Sequence, residues 1–146
     1  MRVKRLAILA VALLFLIAAP SYAVEHGGKE HGGDKITEPS SKDIRNTMKK
    51  YVEEKSAKIG SFEIYDSQDS KLRKLKLIKV HERVGKTGNY YYSCADFKDI
   101  DSGEMLDLDL DVEAKDGKLN VVDVRIHKLN GKERYTYDKD DNRIPI

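Results

Sequence analysis

Cys94 is the single cysteine of the chain, and alternation along a strand at residues 90–98 sets Tyr92 and Asp96 on its face. Register places Lys79 opposite the thiol and His81 diagonally across, and cationic neighbours of this kind favour a nucleophilic thiolate. No oxyanion hole is recognisable beside them, so a packed, idle thiol is the plainer reading. The same face continues through Asp107, Asp109 and Asp111 to Asp123, Arg125 and His127. Asp107 is expected across from Arg125, but Asp109 falls opposite Asp123 and Asp96 opposite Asp107. Facing like charges cost stability unless a cation or partner neutralises them. Lys79, His81, Tyr92, Cys94, Asp96, Asp107, Asp109, Asp111, Asp123 and Arg125 are therefore a candidate binding face for a basic ligand or a divalent ion. The plain alternative is a solvated sheet face with interleaved basic side chains. His81 and His127 are expected on strands about 14 Å apart, too far to share a metal, and read as surface histidines.

A second candidate lies near the N-terminus, where Glu25-His26-Gly27-Gly28 is repeated as Glu30-His31-Gly32-Gly33. Cleavage after Ala23 would leave His26 as the third residue. A free amine, two backbone amides and a third-position imidazole form the square-planar donor set that copper(II) and nickel(II) favour. His31 would add a further ligand. The alternating acids Asp107, Asp109 and Asp111 do not make a calcium loop, because leucines separate them as in a strand. The Asp99, Asp101 and Gly103 turn lacks the glycine position and closing Glu that such a loop requires. In the Tyr90-Tyr91-Tyr92 run, Tyr91 is expected in the core, with Tyr90 and Tyr92 open to a partner.

The elements that must position these side chains follow from periodicity. Ser40-Ser41-Lys42-Asp43 is a capping-box pattern, and Ile44, Met48, Tyr51, Val52 and Ile59 recur at helical spacing behind it. Gly60 supplies the stop, so a helix is expected over about 41–58. Strands are expected near 61–66, 72–84, 90–98, 105–114, 118–129 and 132–138. A three-residue loop at Lys115-Asp116-Gly117 would set Leu110 opposite Val122, Leu108 opposite Val124 and Leu106 opposite Ile126. A two-residue turn at Asn130-Gly131 would set Ile126 opposite Tyr135, Val124 opposite Tyr137 and Lys128 beside Glu133. Earlier hairpins would align Phe97 with Leu106, Ala95 with Leu108, Ile78 with Ala95 and Val80 with Ser93. One apolar face results, running from Ile78 and Val80 through Phe97, Leu106, Leu108, Leu110, Val122, Val124 and Ile126 to Tyr135.

The fold class expected is α+β: one N-terminal helix packed on one face of a five- to six-stranded antiparallel β-meander. This order resembles the cystatin-like architecture and, more loosely, the cone-shaped folds of ketosteroid-isomerase type. The Glu-His-Gly-Gly repeat resembles that of small exported bacterial proteins of unknown role, a likeness confined to the leader.

Arg2, Lys4 and Arg5 precede an apolar run of 14 residues, Leu6 to Ala19, followed by Pro20 and Ser21-Tyr22-Ala23. That is the pattern of a secretory signal peptide, and a membrane span needs roughly 20 residues. Residues 1–23 are thus expected to be removed, 24–39 to form a Gly- and His-containing leader, and 40–146 to fold as a single domain, periplasmic or secreted. The chain carries 27 Lys and Arg against 25 Asp and Glu, and without Arg2, Lys4 and Arg5 the balance is 24 against 25. Such neutrality argues against nucleic-acid binding, and the short apolar run argues against membrane insertion after cleavage. The function expected is a non-enzymatic binding or accessory module, with a protein or small ligand of the cell envelope as partner. The alternatives are a small enzyme with a pocket between sheet and helix, and an inhibitor-like protein-binding domain. An enzyme of that kind should bury an acid or histidine among its apolar residues, and the expected inward face holds none.

Overall fold

The computed structural model describes residues 38–146. The expected export segment, most of the leader, and His26 and His31 with it, lie outside the described residues. Among the described residues there is one helix, α1 (Ser41–Ile59), and it begins where the sequence places its cap. The Ser40 hydroxyl accepts from the Asp43 N–H at 3.1 Å, and the Asp43 carboxylate accepts from the Ser40 N–H at 3.2 Å. This reciprocal pair satisfies two donors that a helix N-terminus otherwise leaves unpaired. Gly60, at φ 86°, returns its N–H to the Ser56 carbonyl and ends the helix in a conformation that favours glycine.

The strands are β1 (Phe62–Asp66), β2 (Lys71–Val80), β3 (Gly85–Thr87), β4 (Tyr90–Asp99), β5 (Met105–Lys115), β6 (Lys118–Leu129), β7 (Lys132–Glu133), β8 (Tyr135–Tyr137) and β9 (Arg143–Pro145). The main antiparallel sheet runs β1-β2-β4-β5-β6-β7, with β3 paired to β4, and β8 and β9 form a separate hairpin. The architecture is α+β, one helix and a curled antiparallel sheet. Ile44, Met48 and Val52 of the helix share one buried cluster with Phe62, Leu75, Phe97, Leu106, Leu108, Leu110 and Val112. Phe62 stacks on Phe97 with ring centroids 5.5 Å apart. Among the described residues no helix is long and apolar enough to cross a membrane.

Several registers differ from those expected, and β-bulges are the reason. The β5–β6 hairpin closes through a two-residue turn, Asp116 and Gly117, with φ of 51° and 71°, so that Lys115 pairs with Lys118. Two positive φ values in sequence are what an Asp-Gly hairpin turn supplies. The ladder would then oppose Leu110 to Asp123, but a shift between Asp111 and Val112 makes Val122 the extra residue and restores Leu110 to Val124. Val122, expected in the core, is 48% exposed. A second shift leaves His127 unpaired between Leu108 with Ile126 and Asp107 with Lys128. In β2 the extra residue is Ile78, 52% exposed, so Val80 rather than Ile78 faces Ala95. Phe97 with Leu106, Ala95 with Leu108, and Lys128 with Glu133 pair as expected.

The C-terminus departs furthest. Pairing with β6 stops at Lys132 and Glu133, and Tyr135 and Tyr137 do not extend the core face. They form β8, pair with β9, and cross to the face opposite Leu108 and Leu110.

The inward face is also not free of charge. Arg73 and Asp66 are fully buried beyond the apolar cluster. Arg73 donates to Asp66 and Asp69 at 2.5 Å each, to Glu104 at 2.8 Å and to Asp99 at 3.3 Å. Arg134, just past β7, grips Asp66 with both η nitrogens at 2.6 and 2.9 Å. The curl thus joins the strand at one end of the sheet to the chain leaving the other.

Candidate functional site

Three adjacent strands build a polar cluster on the face away from Leu108 and Leu110. β4 brings Tyr92 and Cys94, β5 brings Asp107, Asp109 and Asp111, and β6 brings Arg125 and His127. Cys94 pairs with Asp109 and Asp109 with Arg125, whereas the expected Asp109–Asp123 and Asp107–Arg125 pairs do not form. The bulge at His127 inserts one residue into β6 and re-aims its side chain. Its Nδ1 stands 3.8 Å from Cys94 Sγ and 3.8 Å from Asp109 Oδ1.

The β8–β9 hairpin roofs the cluster. The Tyr135 and Tyr137 hydroxyls donate to Asp109 Oδ2 at 2.7 and 2.6 Å, and the Cys94 thiol donates to Oδ1 at 2.6 Å. Three donors on one carboxylate satisfy a charge that would otherwise be costly to bury. Tyr135 stacks on His127 with ring centroids 4.8 Å apart, and Tyr137 stacks on Tyr92 at 4.6 Å. The Tyr92 hydroxyl and Arg83 both donate to Asp141 Oδ1, at 2.9 and 2.6 Å, fixing the hairpin's turn. A Cβ at Gly85 would stand 2.4 Å from the Tyr92 ring, so only glycine leaves room for the ring beneath Tyr137.

Burial, with the Asp109 charge next, pushes the Cys94 thiol well above the usual cysteine range. Burial raises Tyr135 and Tyr137 in the same way, reinforced by Asp109, and raises Tyr92, reinforced by its bond to Asp141. The Asp107 carboxyl also rises through burial, partly offset by His81 and reinforced by Asp109. The thiol and phenols are therefore held protonated as donors. That is the reverse of what an attacking thiolate requires.

The face expected to be open to solvent is largely covered: Asp109 is 0% exposed and Tyr92 3%. Tyr92 is therefore not available to a partner, and His127, at 6%, is not a surface histidine. Asp111 and Arg125 form a two-pronged pair at 2.7 Å in each arm, and Asp123 also binds Arg125. His81 Nε2 lies 2.8 Å from Asp96 Oδ1, with Lys79 3.9 Å from the same carboxylate. One sulfur, two carboxylate oxygens and one ring nitrogen, from Cys94, Asp107, Asp109 and His127, lie within 4.8 Å of one another. His81, Asp96 and Asp107 form a second such group, sharing Asp107 but not joining the two histidines. Among the described residues Asp107 Oδ1 and His127 Nε2 are buried with no hydrogen-bond partner.

Alternation places His127 on this face, though as a surface residue, and does not find Tyr135, Tyr137 and Asp141. The signal that could have found the last three is turn chemistry. Asp138, Asp140, Asp141 and Asn142 crowd one short stretch between Tyr137 and Arg143, as in the turn of a further hairpin. No protein-family model, curated protein or solved structure matches this chain.

Proposed function

We propose that this chain is an exported, non-enzymatic binding or accessory module of the periplasm or the cell exterior. Export rests on the charged start, the apolar run and the Ser21-Tyr22-Ala23 pattern of the first 23 residues. The observation that carries the binding reading is the roofed cluster, in which Cys94 donates to Asp109 beneath Tyr135 and Tyr137. Burial and the adjacent carboxylate keep the thiol protonated, so the cluster offers donor atoms without offering a nucleophile. Buried acids and a buried histidine do exist here, so their supposed absence no longer weighs against an enzyme; the thiol's protonation does. A helix with a curled sheet keeps the cystatin-like comparison open as an analogy of shape, and shape carries no inhibitory function. The leader supplies a second contact in this reading, with copper(II) or nickel(II) held by the mature N-terminus and His26, assisted by His31.

The test is to express the full chain in a bacterial host, fractionate the cells and sequence the N-terminus. The recovered protein is then immobilised against an extract of its own cell envelope. The expected result is a chain beginning at Val24 outside the cytoplasm that retains an envelope protein or small ligand through washing. A chain keeping Met1 in the cytoplasm would remove the export reading, and a column that retains nothing would remove the binding reading.

A further inference from the structure

We propose that Cys94, Asp107, Asp109 and His127 bind one divalent transition-metal ion of the zinc class. This deepens the binding-module reading by giving its ligand a chemical class, and it rests on that reading. The donor set is one thiol sulfur, one imidazole nitrogen and two carboxylate oxygens. Sulfur and imidazole suit zinc-like ions and disfavour calcium and magnesium, which take oxygen ligands. A tetrahedral zinc site with ordinary bond lengths spaces its donor atoms about 3.4–3.6 Å apart. The 3.8 Å separations of His127 Nδ1 from Sγ and from Asp109 Oδ1 lie close to that spacing, while Sγ and Oδ1, 2.6 Å apart across the thiol proton, would part by about 1 Å once the ion replaces that proton.

The second, independent observation is the state of His127. Its side chain is only 8% exposed, its Nε2 has no partner, and its Nδ1 has one long contact to Cys94 Sγ at 3.8 Å, with Asp109 Oδ1 equally far away. A metal ion between them would replace that long contact at Nδ1 with a direct bond. Asp107 Oδ1 is likewise buried without a partner. The nearest guanidinium is committed elsewhere, since Arg125 is held by Asp111 and Asp123. Two carboxylates therefore meet here with no dedicated cation.

The surroundings resemble the outer shell of a metal site. Tyr135 and Tyr137 hold Asp109 by Oδ2, which leaves Oδ1 turned toward Cys94 and His127. Outer hydrogen bonds of this kind fix a ligand's orientation. On binding, the Cys94 S–H bond breaks as the S–metal bond forms, and the proton leaves to solvent. No electron is transferred.

The experiment titrates cobalt(II), then competing zinc, into the full exported chain carrying His26→Ala and His31→Ala, which removes the leader's donors, under reducing conditions. The expected result is equimolar saturation with a thiolate-to-cobalt charge-transfer band in the near ultraviolet and visible bands typical of tetrahedral cobalt. Cys94→Ser should abolish the charge-transfer band and weaken zinc binding by about tenfold or more. Asp107→Asn guards against a folding defect, because it keeps the shape of the side chain and removes only its charge; it should keep the metal-free melting temperature and still weaken zinc binding. No thiolate band from the folded parent chain, or undiminished zinc affinity in Asp107→Asn, would overturn the site. A negative titration beside positive capture from the envelope extract would sink the metal site and leave the binding module standing. Capture of nothing beside a clean cobalt spectrum would do the opposite.

Discussion

At the scale of single residues, the position of Cys94 decides more than its identity. A thiol beside a lysine would ionise readily, but here the thiol donates to the Asp109 carboxylate at 2.6 Å, with His127 Nδ1 farther away at 3.8 Å. Burial and then Asp109 raise the thiol, so the thiolate fraction near neutral pH is small. Each unit of upward shift lowers that fraction about tenfold. Alkylation by iodoacetamide at pH 8, with chelator present, should therefore be at least about tenfold slower in the native protein than in the same protein in urea. Equal rates would mean that the sulfur is neither roofed nor held protonated. His127 teaches the same lesson from the other side. Its residue type is visible in the sequence, but its burial comes from the Tyr135 and Tyr137 rings that pack on it, a long-range contact which alternation does not encode.

At the scale of elements, the hairpin β8–β9 turns a polar sheet face into an interior. Its seat is the Tyr92 ring, which packs closely against Gly85 and stacks on Tyr137. Gly85→Ala would drive a methyl group into that ring. We expect a loss of about 1–3 kcal/mol in stability, the usual cost of overpacking, measured by urea denaturation. Cys94 alkylation should also accelerate as the hairpin loosens. An unchanged midpoint together with an unchanged alkylation rate would show that the stack does not hold the roof. The helix was legible from sequence because its cap, its apolar stripe and Gly60 all act within a few residues. The β4–β5 pairing was legible too, since Phe97, Ala95, Leu106 and Leu108 alternate without a bulge. The bulges at Ile78, Val122 and His127 were not legible, because each adds one residue without changing which apolar types are present. Tyr135 and Tyr137 fitted a sixth strand by parity, yet their hydroxyls find Asp109 on the other face, and that long-range bond outweighs local alternation.

At the scale of the whole molecule, two buried polar clusters set opposite limits on the pH range of stability. On the acid side, the bond from Arg73 holds Glu104 down to about 2, and Asp66 is also depressed because Arg134 and Arg73 outweigh its burial. Depressed carboxyls contribute stability above their unfolded values, near pH 4, and lose it as pH falls through the folded values. Removing the shared partner should remove most of this at once: Arg73→Ala leaves Asp66 buried with Arg134 alone, an expected loss of about 3–5 kcal/mol at neutral pH. On the alkaline side the signs reverse. Cys94, Tyr135 and Tyr137 are raised, so their contribution is complete below the unfolded values, near 8.5 for cysteine and 10 for tyrosine, and is lost as pH rises beyond them. Urea unfolding of the metal-free chain should weaken steeply above about pH 9. Cys94→Ser cannot ionise in this window, so between pH of about 9 and 10 its stability should fall less steeply than the parent's, by up to about 1.4 kcal/mol per pH unit. Tyr137→Phe should begin less stable at neutral pH, having left Asp109 one donor short, and then fall less steeply above about pH 10. Parallel pH profiles for parent and both variants would mean that the thiol and phenols ionise as freely in the folded protein as in the unfolded chain. The roofed cluster would then be open to water, and with it would go the desolvated setting that the metal site requires.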